Sequence, residues 1–105
     1  NFKIDKYGVE INDDARNVAI QNGLKCYKSS KELPSVYFDL IISNNALEHC
    51  ENPFLELKEL YRSLKKNGKI CIVVPLDSLN YKYKSNDINF HLYSWSPMNL
   101  GNILK

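Results

Sequence analysis

Four consecutive residues have side chains that could do chemistry: Glu48, His49, Cys50 and Glu51. A histidine set among acids can serve as a general base, because imidazole titrates closest to neutrality. His91 is the other histidine in the chain. The same quartet suggests a metal centre, but its spacing argues against one. Neighbours on a single turn point in different directions, and no second group of ligands stands out elsewhere in the sequence. No metal is therefore expected. A nucleophilic Cys50–His49 pair is disfavoured for a related reason: sequence neighbours rarely hold the alignment that transfer to a base requires.

Three further groups are placed where apolar runs end. Glu10 closes "YGVE", where a carboxylate can accept two hydrogen bonds from vicinal ribose hydroxyls or can simply face water. Ser29 and Ser30 follow "LKCY" and could meet a base edge or form a turn. Asn44 and Asn45 follow "LIIS". Their amides suit an amino-acid-like ligand, or they satisfy loose backbone groups at the strand end.

The elements that must position these residues follow from periodicity. Residues 7–11 alternate as a short strand does. Asn12 caps a helix with Asp13 and Asp14 in its first turn, and Ala15, Val18 and Ala19 share a face. Asn22-Gly23 stops it. Residues 24–27 form a second strand and residues 38–43 a third. The unbroken apolar core of the third predicts burial on both faces, as in a parallel sheet. Asn52 and Pro53 open a helix whose Leu57, Leu60, Tyr61 and Leu64 form a stripe, with Asn67-Gly68 as its end. Residues 69–75 are a fourth strand, 76–93 a long loop, and Ser96-Pro97 opens a last helix. Strand–helix alternation of this kind predicts an open α/β domain, a Rossmann-like doubly wound parallel sheet. Ligands bind such sheets beyond the carboxyl ends of the strands, where Glu10, Ser29, Asn44 and His49 fall.

Composition narrows the class. The 105 residues are 44% apolar with a net charge of +2, which suits one small globular domain and excludes disorder. No apolar run approaches the roughly 20 residues of a membrane helix, and no signal peptide is visible. The basic run Lys82, Tyr83, Lys84, with Tyr81 beside it, could grip a single strand, but a solvated loop is favoured and nucleic acid is not an expected partner. Cys26, Cys50 and Cys71 are dispersed and odd in number, which suits a reducing, cytoplasmic compartment. Cys26 and Cys71 read as small core hydrophobes.

"FDLIISNNALEHCENPFLELKELYRSLKKNGKICIVVP" closely resembles the central part of class I S-adenosylmethionine-dependent methyltransferases. The shared pattern is a Phe-Asp strand start, a Leu-Glu-His segment, an acid before a helix-opening Pro, a Leu-rich helix, a Lys-x-Gly turn and an apolar strand. "YGVEI" is similar to the family's second strand with its ribose-binding acid, and "HLYSWSPMNLGNIL" to a later segment of a small-molecule branch. The resemblance implies S-adenosylmethionine as cofactor and a small molecule as methyl acceptor. It implies that Glu10 binds the ribose and Ile11 packs on the adenine. Ser29 stands where many members carry Asp, and Ser30 offers its backbone N–H. Asn44 lies by the methionine part, and His49 and His91 face the acceptor as the candidate catalytic pair.

The family's Gly-rich loop precedes its ribose acid by about 20 residues, as in the dinucleotide fold. Glu10 is the tenth residue here, so residues 1–105 are expected to form a partial methyltransferase domain lacking the central first strand and the C-terminal strands. Alone they are expected not to bind cofactor tightly, and to self-associate through unpaired strand edges. The alternative reading is a non-catalytic, methyltransferase-like scaffold. A dehydrogenase fragment also fits a strand-end acid, but the Leu-Glu-His segment and its Pro-started helix argue against it.

Overall fold

The computed structural model describes residues 3–76, 80 and 82–105. The chain divides into two compact units, Asn1–Ser35 and Val36–Lys105.

The first unit is a strand–helix–strand hairpin of the parallel kind. Strand β1 (Tyr7–Val9) pairs with β2 (Lys25–Tyr27), Tyr7 lying opposite Lys25 and Val9 opposite Tyr27. Glu10 continues the ladder by donating its N–H to the Tyr27 carbonyl at 2.9 Å. Helix α1 (Asp13–Gln21) joins them. Asn12 caps it, its side-chain oxygen accepting from the Ala15 N–H at 2.9 Å. Asn22 ends it, and Gly23 takes the left-handed φ of +85° that an L side chain resists. A 3-10 turn (Ser30–Glu32) follows β2. Two expectations change here. Regular β1 stops at Val9, before Ile11, because Asn12 already turns the backbone and its N–H bonds to Glu10 Oε1. The supposed apolar face of α1 buries nothing: Ala15 and Val18 are exposed and Ala19 is half-buried.

The second unit holds strand β3 (Phe38–Asn44), a 3-10 turn (Leu47–His49), helix α2 (Pro53–Ser63), strand β4 (Leu64–Val73) and helix α3 (Pro97–Ile103). Strands β3 and β4 are parallel, with Ile41 opposite Ile70 and Asn44 opposite Val73. Asn52 caps α2 through the Leu55 N–H, and Pro53 opens it where a missing N–H costs nothing. Ser96 and Asn99 form a reciprocal capping box on α3. Leu47, Leu57 and Trp95 are the buried centre, with Ile72, Val74, Leu100 and Ile103 packed against them.

The sheet of this unit is covered on one face only. Ser43 is buried and Ile41, Ile70 and Ile72 are half-buried. Leu40 and Ile42, on the other face, are 56% and 66% exposed, so burial of β3 on both faces does not hold for these residues. Cys71 is exposed too and is no core hydrophobe; all three cysteines are free. Helix α2 ends at Ser63, four residues before the anticipated Asn67-Gly68 stop. The Ser63 hydroxyl donates back to the Glu59 carbonyl, and the Ser63 carbonyl accepts from the Tyr37 N–H. Tyr61 is 79% exposed, and Leu64 already belongs to β4, which leaves Leu57 and Leu60 as the buried stripe. Asn67-Gly68 still turns the chain, but inside β4, where Asn67 has φ +68° and the ladder shifts register between Phe38 and Leu40. The 3-10 turns and the β3–β4 pair make a mixed α/β fold with small parallel sheets. Of the expected long loop, residues 77–79 lie outside the described residues, as does Tyr81 of the basic run; Lys82, Tyr83 and Lys84 are exposed.

Candidate functional site

Two segments far apart in sequence meet beyond the carboxyl end of β3. The first is the turn Leu47–His49, and the second runs from Phe90 to Trp95. Each is anchored in the core by one apolar residue, Leu47 and Trp95. Between the anchors the backbones are stitched together: the Glu48 carbonyl accepts from the Leu92 N–H at 2.7 Å and from the Tyr93 N–H at 3.3 Å. The Tyr93 hydroxyl donates to the Glu51 carbonyl at 2.7 Å. Trp95 also bridges to Leu76 beyond the end of β4.

This stitching brings Glu48, His49 and His91 together. The His49 and His91 rings lie 5.0 Å apart at 75°, edge to face. His49 Nδ1 is 3.3 Å from the Phe90 carbonyl oxygen, and its Nε2 is 3.8 Å from Glu48 Oε1. A ring that donates from Nδ1 to a carbonyl carries its lone pair on Nε2, so the free nitrogen faces the carboxyl group. Glu48 is only 1% exposed, and its Oε2 has no hydrogen-bond partner among the described residues. Burial of an unsatisfied carboxyl oxygen is costly, so Glu48 is more than a solvated residue leading into the next helix. Cys50 takes no part in the trio. Burial, followed by the nearby Glu56 and Glu48 carboxylates, pushes its thiol up from the ordinary range, away from the nucleophilic thiolate.

Glu48 and His49 are neighbours on one turn, yet their side-chain ends still approach, His49 Nε2 lying 3.8 Å from Glu48 Oε1. His91 reaches this turn from 42 residues away in sequence, carried there by Trp95 and the Leu92–Tyr93 amides, none of which spacing could reveal. Glu48 was legible only as part of Leu-Glu-His; its burial was not.

The residues expected to meet a nucleotide divide differently. In the first unit, Glu10 is half-buried at the end of β1, and Ile11 beside it is 78% exposed. Glu10 Oε1 accepts from the Asn12 N–H at 2.9 Å, and no partner sits on its second oxygen among the described residues. A carboxyl with one oxygen open, next to an unburied apolar side chain, fits a ribose edge and a flat ring. Ser29 caps the 3-10 turn, its hydroxyl accepting from the Lys31 N–H, and Ser30 is buried. Turn geometry thus engages the Ser29 side chain. In the second unit, Asn44 is exposed at the last position of β3, and Asn45, with φ +49°, donates its N–H to the Val73 carbonyl.

Residues 2–72 match the family described as methyltransferase domain. The chain belongs to the methyltransferase domain family. A search of curated proteins finds similarity to Uncharacterized protein MJ1123 of Methanocaldococcus jannaschii, 35% identical over 77 residues. That match covers 70% of this chain and 38% of the relative, so the chain spans well under half of the protein it resembles. No solved structure matches. The matched part of the methyltransferase domain includes Glu10, Ile11, Ser29, Ser30, Asn44 and His49, whereas His91 lies beyond it. No helix among the described residues of the methyltransferase domain is long and apolar enough to cross a membrane.

Proposed function

We propose that the full-length protein transfers a methyl group from S-adenosylmethionine to a small-molecule acceptor. The observation that carries this reading is the methyltransferase-domain match over residues 2–72, with His49 inside it beyond the carboxyl end of β3 and His91, outside it, packed edge to face on His49. The cofactor, when bound, supplies an electrophilic methyl on sulfur, which leaves alignment and exclusion of water to the protein. Glu10 holds the ribose hydroxyls through the oxygen that Asn12 leaves open, and Ile11 covers the ring. Ser29 and Ser30 contribute backbone groups of their turn.

His49 accepts the proton of an acceptor that must lose one. Its Nδ1 contact with the Phe90 carbonyl fixes the ring, and Nε2 is the basic atom. That nitrogen lies 3.8 Å from the Glu48 carboxyl. His91, edge-on to His49, closes the same wall.

The test supplies the full-length protein with S-adenosylmethionine carrying a labelled methyl group and panels of small hydroxyl, amine and carbon acceptors. Formation of S-adenosylhomocysteine with a labelled product is expected, and His49→Ala is expected to slow it by about 10²–10⁴-fold for acceptors that lose a proton. Cofactor binding with no transfer to any acceptor would instead select the scaffold reading.

A further inference from the structure

We propose that Glu48, His49 and His91 form a binding site for a divalent transition metal of the zinc class. Each offers one ligand atom, and all three atoms lie within 4.8 Å of one another. Two imidazole nitrogens and one carboxylate oxygen are ligands that suit zinc and its neighbours, whereas magnesium and calcium prefer all-oxygen shells. With bonds of about 2.0–2.2 Å, tetrahedral ligands sit roughly 3.4 Å apart. The Glu48–His49 pair, at 3.8 Å, is close to that already. The exposed His91 ring supplies the remaining closure.

Three further observations favour an ion over a bare cluster. Glu48 is buried to 1% exposure with Oε2 lacking a hydrogen-bond partner, and a cation would relieve that unsatisfied group. The His49 Nδ1 contact to the Phe90 carbonyl is the outer interaction that typically orients a metal-binding histidine and leaves Nε2 for the metal. The three ligands also come from two segments already pinned by the Leu92 and Tyr93 amides, so most of the ordering is done before binding. Three protein ligands leave a fourth position open, as in catalytic rather than structural zinc sites. An acceptor oxygen could take it. With a metal on Nε2, His49 would be a ligand and not the base; the metal would lower the pKa of the bound hydroxyl, whose proton would leave to solvent.

The site stands or falls on metal binding alone, whatever the protein methylates. Zinc ion alone is titrated into the full chain against a chromophoric chelator, with magnesium as a parallel control. Cobalt(II) then reports the ligand types by absorption. One zinc per chain is expected, no competition by magnesium, and cobalt bands without a thiolate charge-transfer band. His91→Ala, at an exposed position that leaves the fold intact by circular dichroism, is expected to weaken zinc at least about tenfold. Glu48→Gln is expected to do the same where it folds; His91→Ala decides the matter where it does not. Absence of zinc binding, equal binding by His91→Ala, or a thiolate band placing cobalt on the cysteines would each overturn the proposal.

Discussion

The two units share one plan and differ in what it encloses. Each runs from a strand through an Asn-capped helix to a parallel strand, and in each the cap oxygen accepts from the N–H three residues on, that of Ala15 or of Leu55. Helix α2 buries Pro53, Leu57, Leu60 and Ser63, whereas α1 buries nothing. Consequently the second unit can hold a carboxyl group at 1% exposure and fix two histidines beside it, while the first offers Glu10 and Ile11 on a partly open surface. Caps and turns set where elements begin and end. A core decides whether their side chains are held for chemistry.

Core substitutions should expose this difference most strongly. Leu57→Ala should cost about 2–5 kcal/mol in urea unfolding, and Val18→Ala in α1 less than about 0.5 kcal/mol. Equal losses would erase the distinction between the units. Glycine replacements come next and should fail for different reasons. A Cβ on Gly68 would lie 2.9 Å from the Lys65 carbonyl oxygen and 3.0 Å from that of Phe38, so Gly68→Ala should cost about 1–3 kcal/mol by overpacking the β4 turn. Gly23→Ala meets open space but a left-handed backbone, and should cost about 1–2 kcal/mol through φ alone.

Cap removal is a subtler probe. Asn52→Ala should lower global stability by about 1 kcal/mol. Asn12→Ala should act locally, speeding amide exchange across α1 with little shift of the main unfolding transition. The smallest effect belongs to Asp13, whose carboxyl the Arg16 side chain, and then Lys28, holds below the ordinary range. Because its folded value is depressed, its contribution is present above the unfolded carboxylate range and is lost as pH falls through the lowered value. Asp13→Asn should therefore lower α1 helicity slightly at neutral pH, leave low pH almost untouched, and so flatten the acid limb; a steeper acid limb would contradict this.

Local chemistry made part of this structure legible in advance. Asn12, Asn52, Pro53 and Ser96 announced their helices because capping needs only neighbouring atoms. Gly23 marked a true stop. The Asn67-Gly68 pair marks a turn, but inside β4 and not at the end of α2, since the side chain-to-backbone bond of Ser63 and the amide of Tyr37 end α2 earlier. Two-face burial of β3 was inferred from an apolar run, which reports the side chains and not what covers them; Leu40 and Ile42 show the gap. At the site, His49 and His91 could be named singly. Their meeting depends on Trp95 and on two amides paired with the Glu48 carbonyl, long-range contacts without a sequence signature.

The central claim is that this methyltransferase domain serves S-adenosylmethionine chemistry with Glu10 as its ribose anchor. Calorimetric titration of the full-length protein with S-adenosylhomocysteine, wild type beside Glu10→Gln, tests it most directly. The account predicts saturable binding by the wild type, weakened about tenfold or more in Glu10→Gln by loss of charge-assisted hydrogen bonds. No binding by the wild type, or equal binding by the two proteins, would contradict it.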